Sequence, residues 1–389
     1  MKNKIFIVTL CFLSLCVQAQ WNKINVNTTK SLNSIAQIDA NNLMVVGDTG
    51  TLIKLTNKGQ SFSTITSSIT KNLNDVCFVS SSIGYAVGNS GTIIKTINGG
   101  STWNPQTSNT SSDLNGVKFL DANNGLAVGS NGTILRTQNG GSTWTVISPI
   151  TIYILNKVTY ISSTVAIACG GNGLLLKSTN GGKNWTIKST GTTKVISNMY
   201  YYPEEQKLMA VGNKGLLLTC DSALTTFSKD SISSQWLFGI AKEGYTDSIF
   251  VVGKNANILY SPNWAKANTT ETADLHSVAF INDTMGIIVG ANGLVLRTIT
   301  GGVWNEISDI NSVSVQVYPN PSSDQFNIES TTLGSNFQVM IYSVNGSLVF
   351  QQNCVSASIT TIHHNLSDGL YLLQIISDTS LYSQSILIQ

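Results

Sequence analysis

Residues 84–103 read GYAVGNSGTIIKTINGGSTW, and the same stretch returns as GLAVGSNGTILRTQNGGSTW at 125–144 and AIACGGNGLLLKSTNGGKNW at 166–185. Looser copies are MVVGDTGTLIKLTNKGQSF (44–62), AVGNKGLLLTCDSALTTF (210–227), VVGKNANILYSPNW (251–264) and IVGANGLVLRTITGGVW (288–304). The equivalent glycines are Gly47, Gly88, Gly129, Gly170, Gly212, Gly253 and Gly290, so successive copies lie 41, 41, 41, 42, 41 and 37 residues apart. A period near 40 with several short apolar runs per copy marks a β-propeller, and the copy number predicts seven blades.

One blade is readable within 73–107: strands at 73–79, 85–87, 92–96 and 103–106. The Gly-x-x-Gly between the second and third is a tight turn, with Asn, Ser and Gly supplying positive φ; the sixth copy, Gly253-Lys254-Asn255-Ala256, lacks the second glycine. The next turn, Thr96-Ile97-Asn98-Gly99-Gly100-Ser101-Thr102-Trp103, fits the Asp-box pattern S/T-x-D-x-G-x-T-W with Asn98 for the aspartate, and Asn139 and Asn180 match it. Its polar residues are expected to brace the hairpin while the Trp covers the seam between blades. Burying a Trp removes ~200 Å² from water, worth at most about 5 kcal/mol. Phe62 and Phe227 take the Trp position in two looser copies. Trp21-Asn22-Lys23-Ile24 resembles a fourth strand standing before the first full copy. A ring must close, so this strand is expected in the last blade, with either Trp21 or Trp304 as its anchor.

Charged residues make up only 11% of the 389, against roughly 25% in an average globular protein. Gly, Ser, Thr and Asn take their place, as many tight turns require. Lys2 and Lys4, an apolar run over 5–17 and small residues at Val17-Gln18-Ala19 read as an export signal cut after about Ala19. Cys16 raises a lipoprotein alternative, but Leu15 is larger than the residue such a signal carries there. The apolar run is too short for a comfortable span, and no later segment reads as transmembrane. Without Lys2 and Lys4 the 20 remaining basic residues balance 20 acids, which gives nucleic acid or an anionic membrane no electrostatic support. Cys77, Cys169, Cys220 and Cys354 fall inside apolar strands at no metal-ligand spacing and read as buried, unpaired thiols.

Beyond about residue 310 the period stops. Alternating strands joined by Asn-Gly and Asp-Gly turns predict a small antiparallel β-sandwich. The expected organisation is therefore all-β: a signal at 1–19, a seven-bladed β-propeller at 20–308, and a β-sandwich domain at 312–389. Val317-Tyr318-Pro319-Asn320-Pro321, Ile341-Tyr342-Ser343-Val344-Asn345-Gly346, Leu366, Gly369, Leu370 and Tyr371 resemble the C-terminal sorting domain of the type IX secretion system of Bacteroidetes. That resemblance implies passage through the periplasm and across the outer membrane, the secretion machinery as a partner, and a released or surface-held product. The ending SQSILIQ lacks the basic residues common near that family's last strand. The recurring G-T-I-[IL]-[KR]-T-x-N-G-G-S-T-W resembles the photosystem II assembly-factor type of propeller, related through the Asp-box to sialidases. It implies the fold, whereas propellers host many unrelated activities.

The chain carries Arg136 and Arg297 and no other arginine, too few for the three-arginine carboxylate clamp of a sialidase. A glycosidase needs two carboxyl groups roughly 5–9.5 Å apart, and no repeat loop shows such a pair. Tyr200-Tyr201-Tyr202-Pro203-Glu204-Glu205 is the most conspicuous aromatic and acidic cluster; the plainer reading is a turn with solvated glutamates beside half-buried tyrosine. His276 reads as structural, His363 and His364 lack metal partners, and no P-loop, EF-hand, HExxH or G-x-S-x-G occurs. Lys54, Lys95, Arg136, Lys177 and Arg297 share one third-strand place in five of the seven copies, with Thr219 and Tyr260 in the others. Facing the axis or one rim, they would form a cationic ring for an acidic ligand; the plainer alternative has each lying along its own hairpin and over a neighbour's Trp. The reading is a non-catalytic module, without metal or cofactor, that binds an extracellular protein or glycan. The alternatives are a polysaccharide hydrolase or lyase and an assembly chaperone.

Overall fold

The computed structural model describes residues 21–243, 248–267, 269–282, 284–299, 315–330, 336–343, 347–355, 359–377 and 381–389. The expected signal at 1–19, Trp304, Asn345 and Gly346 lie outside them. The chain divides into two compact units, Met1–Trp304 and Asn305–Gln389.

In the first unit, seven four-stranded antiparallel sheets follow one another. Blade one is Leu32–Gln37, Leu43–Gly47, Leu52–Thr56 and Ser61–Thr64. The corresponding first strands of blades two to seven are Leu73–Phe78, Leu114–Phe119, Leu155–Tyr160, Ile196–Tyr202, Leu237–Lys242 and Leu275–Phe280. Each first strand packs on the next, and the seventh on the first, so these strands surround the axis. Blade two's strands, Leu73–Phe78, Gly84–Gly88, Ile93–Thr96 and Asn104–Gln106, fall within one residue of the periodicity's expectation.

Alternate side chains of each blade face its two neighbours, and the apolar residues collect in seven seams among the described residues. Trp144 and Trp185 are buried in the seams between blades two and three and between three and four. Trp103, half-buried, covers the seam between blades one and two. Asn22–Ile24 pairs antiparallel with the third strand of blade seven, Asn22 opposite Arg297 and Ile24 opposite Val295, and so completes the last sheet. Trp21 anchors it: only 4% exposed, it meets Phe250 and Phe280 edge-on at 6.1 and 6.3 Å.

The repeated glycine has a steric cause. Gly88 is extended, at φ −165°, so its dihedrals tolerate any residue. A Cβ there would stand 1.9 Å from the Asn72 carbonyl oxygen, and the six equivalent glycines meet the matching carbonyl at 1.9–2.2 Å. The chain entering each blade therefore lies directly on the end of its second strand.

The second unit holds two sheets around one core. Three strands, Val315–Tyr318, Gln325–Ser330 and Ile359–His363, form one; Leu348–Val355, Asn336–Ser343, Gly369–Ser377 and Leu381–Ile388 form the other. Phe326, Ile328 and Ile362 from the first pack with Val339, Ile341 and Leu373 from the second.

Candidate functional site: the axial channel

Every first strand carries a β-bulge at its second residue. A bulge leaves one residue outside the ladder and re-aims its side chain. Those residues are Asn33, Asn74, Asn115, Asn156, Ser197, Phe238 and His276, and all seven line one cavity of about 320 Å³. Because Leu32 lies opposite Gly47, this cavity sits level with the turns joining second and third strands.

The asparagines form a belt. The Nδ2 atoms of Asn33, Asn74, Asn115 and Asn156 donate to the main-chain carbonyls of Leu73, Leu114, Leu155 and Ile196, each one blade ahead, at 2.8–3.0 Å. In blade five the link moves one residue on, from Asn198 Nδ2 to Phe238 O at 3.1 Å. His276 Nδ1 donates to Leu32 O at 2.9 Å and joins blade seven back to blade one. Blade six breaks the belt with Phe238. Its ring lies 5.7 Å from Trp236 and 5.9 Å, edge-on, from His276. Trp236 is 41% exposed, and its indole N–H donates to Ser197 Oγ at 2.7 Å.

A charged strut crosses the channel below the belt. Asp75, 1% exposed, accepts from Lys157 Nζ at 2.7 Å and Ser34 Oγ at 2.8 Å on one oxygen, and from Val117 N at 2.9 Å on the other. The pair spans from blade two to blade four. Gly116 in blade three makes room for it: a Cβ there would stand 2.9 Å from Lys157 Cα. Paired and fully hydrogen-bonded, the buried carboxylate is satisfied. Beyond the strut a second cavity of about 400 Å³ opens, lined by Lys118, Lys157, Lys242 and Tyr200 among others, with Asp75 set back from its walls. Burial pushes the Tyr200 hydroxyl and the Cys77 thiol up, the latter to about 12.

The five cations lie elsewhere. They sit on third strands, two strands out from the axis, and each donates to a carbonyl of the following blade. Lys54 reaches Gly99 O (2.9 Å), Lys95 Gly140 O (2.7 Å) and Arg136 Gly181 O (2.8 Å). Lys177 reaches Ser222 O and Ala223 O at 3.1 and 3.0 Å, and Arg297 closes from blade seven to Lys58 O at 2.9 Å. The turns they reach are braced internally. Thr96 Oγ1 donates to Asn98 Oδ1 and accepts from Gly100 N, and Asn98 Nδ2 donates to Thr102 Oγ1. Residues 137–143 repeat that pattern. Glu204 and Glu205 stand exposed in the turn between the first two strands of blade five, Glu205 paired with Lys207 at 2.6 Å.

The belt was visible as a pattern, since Leu-Asn recurs at 32, 73, 114 and 155, but only the bulge turns that asparagine to the axis. The Asp75–Lys157 strut spans 82 positions and has no local signal. The four cysteines are free and buried. Among the described residues, no cluster of three or more His, Cys, Asp or Glu is placed to hold a metal, and no helix is long and apolar enough to cross a membrane.

In the second unit, Asn320 ties down the last strand, its Nδ2 donating to Ser385 O at 3.0 Å and its Oδ1 accepting from Leu387 N at 2.8 Å. Tyr318 donates to Glu329 at 3.0 Å and Tyr371 to Ser367 O at 2.9 Å. Pro319 and Pro321 flank Asn320 in the short link that follows Val315–Tyr318. Gly369, at φ +159°, opens the strand that holds Tyr371.

Comparison with known proteins places both units. Residues 316–389 match the secretion system C-terminal sorting domain, and 56–150 match the photosynthesis system II assembly factor YCF48. No curated protein matches the chain. Among solved structures, YCF48 bound to D1 peptide is similar at 20% identity and a TM-score of 0.61, over 72% of this chain and 97% of that one. YCF48 from Cyanidioschyzon merolae gives 18% and 0.58 over 72% and 98%; the WD40 propeller domain of Doa1 gives 12% and 0.59 over 71% and 95%. The first unit thus has the β-propeller fold, with residues 56–150 similar to the photosystem II assembly-factor family, and residues 316–389 match a secretion system C-terminal sorting domain.

Proposed function

We propose that this protein is an exported, non-catalytic binding module whose ligand seats at the end of the axial channel beside the turns joining second and third strands. The sorting domain supports a secreted or cell-surface product; in this reading residues 1–19 are the export signal, the host belongs to the Bacteroidetes, and the braced turns are Asp-boxes. The observation that carries the binding role is the Asp75 strut. Asp75 is the carboxylate among the described residues lining that cavity, and it is held by Lys157, Ser34 and the Val117 N–H. Hydrolysis of a glycoside requires a second carboxyl group facing the first across the bond.

We assign the ligand to the axis rather than to the ring of Lys54, Lys95, Arg136, Lys177 and Arg297, because each of those already donates to a neighbouring blade. Replacing Lys95, Arg136 and Lys177 together by Gln should lower stability by about 1 kcal/mol per lost bond and leave ligand retention unchanged; lost retention in a folded variant would restore the ring. A second reading places an acidic peptide at the opposite end of the channel, where Lys118, Lys157 and Lys242 gather; a similar solved propeller is bound to a peptide. The deciding experiment incubates purified protein with insoluble plant, algal and bacterial polysaccharides, and measures both retained protein and new reducing ends. Retention without new ends is expected. New reducing ends would make it an enzyme, and retention by none of them would shift the assignment to the peptide.

A further inference from the structure

We infer that the cavity holds one neutral pyranose, the terminal residue of a glycan chain; this rests on the axial-binding reading above and names its ligand class. Four asparagines decide the polarity. A main-chain carbonyl only accepts, so the bonds from Asn33, Asn74, Asn115 and Asn156 to the next blade's carbonyls fix each amide with its nitrogen in the belt. Asn33 and Asn74 spend their second Nδ2 hydrogen on Asp48 Oδ1 and Asn89 Oδ1, so Oδ1, an acceptor, is the atom they leave for a ligand; Asn115 and Asn156 leave Oδ1 together with one N–H. His276 follows the same rule: with Nδ1 donating to Leu32 O, Nε2 is the nitrogen left to accept. The cavity thus presents acceptors on most of its circumference and asks for a ligand rich in donors.

The remaining sector is aromatic. Phe238 replaces a belt residue, and Trp236 beside it is oriented by its bond to Ser197 while 41% of its surface stays exposed. Acceptors opposite an aromatic face match a sugar ring, with hydroxyl donors around its rim and C–H groups on its faces. Charge narrows the choice. An anion would meet carboxamide oxygens, and the one ammonium among the described lining residues, Lys157, is already neutralised by Asp75 at 2.7 Å. A hard cation would find one carboxylate, already held at 2.7 Å by the Lys157 ammonium, where calcium sites draw on several anionic oxygens. A volume of about 320 Å³ lies at the small end of ligand pockets, the scale of one sugar residue.

The test is saturation-transfer NMR on the full chain with methyl glycosides of glucose, galactose and mannose and with N-acetylglucosamine, repeated on Trp236→Ala and Phe238→Asn. The second variant supplies the missing belt amide, so it should melt no lower than the wild type while removing the aromatic face. Saturation of at least one sugar is expected, weakened about tenfold or more in both variants. If no sugar is saturated while Trp236→Ala still abolishes polysaccharide retention, the sugar assignment falls and axial binding stands. Equal affinity in wild type and both variants overturns the cavity itself. Ordering of the site by calcium or by methylammonium instead of a sugar also overturns the proposal.

Discussion

Gly129 shows how much one residue carries in this fold. Its Cβ would stand 1.9 Å from the Asp113 carbonyl oxygen and 2.9 Å from Leu114 Cα, and neither is the tip of a flexible side chain. Gly129→Ala should therefore cost about 3 kcal/mol or more, seen as a clear fall in melting temperature; an unchanged melt would mean that the entering chain does not lie on the strand. The sequence announced these glycines through their period, whereas the cause is tertiary. The thiols offer a second test. Burial pushes Cys77 and Cys169 from 9.0 to about 12. A folded pKa above the unfolded one means that the unfolded chain ionises first as pH rises. The stability these groups contribute is thus complete below about pH 9 and is lost through pH 12. Thermal melts should fall over that window, with native thiols silent to a thiol reagent at pH 8; rapid labelling of the folded protein would contradict this.

At the scale of the element, the closing strand is the instructive case. Its position before the first repeat and the need to close a ring predicted a borrowed strand, but two tryptophans competed as its anchor. Trp21 fills that role because Phe250 and Phe280 form an edge-on slot for it in the seam between blades six and seven. Trp21→Ala should lose about 3–5 kcal/mol and speed proteolysis at the N-terminus; a variant as stable as the parent would show that the closing strand holds without this anchor. The Asn belt was less legible. Leu-Asn repeats openly, yet alternation alone does not reveal a bulge, and without the bulge the asparagine has no reason to face the axis. Blade five shifts its link to Asn198 and blade six gives it up to Phe238, so the pattern fades where the aromatic wall begins.

The whole molecule combines a closed, charge-poor propeller with a sorting domain matching residues 316–389. Fold and export address were both readable, because each is written in local motifs: a 41-residue period, and Tyr318-Pro319-Asn320-Pro321 with Gly369 and Tyr371. The site was not, because its parts come from all seven blades and meet only on the axis. Deleting residues 315–389 should strand the protein in the periplasm; equal amounts in the medium would refute the export role. The binding claim is tested most directly by hydrogen exchange on the full chain, with and without the polysaccharide that retains it. Slowed exchange should concentrate in the seven bulges, at Asn33, Asn74, Asn115, Asn156, Ser197, Phe238 and His276. Protection confined to outer strands or to the second unit, with the bulges unchanged, would contradict an axial ligand.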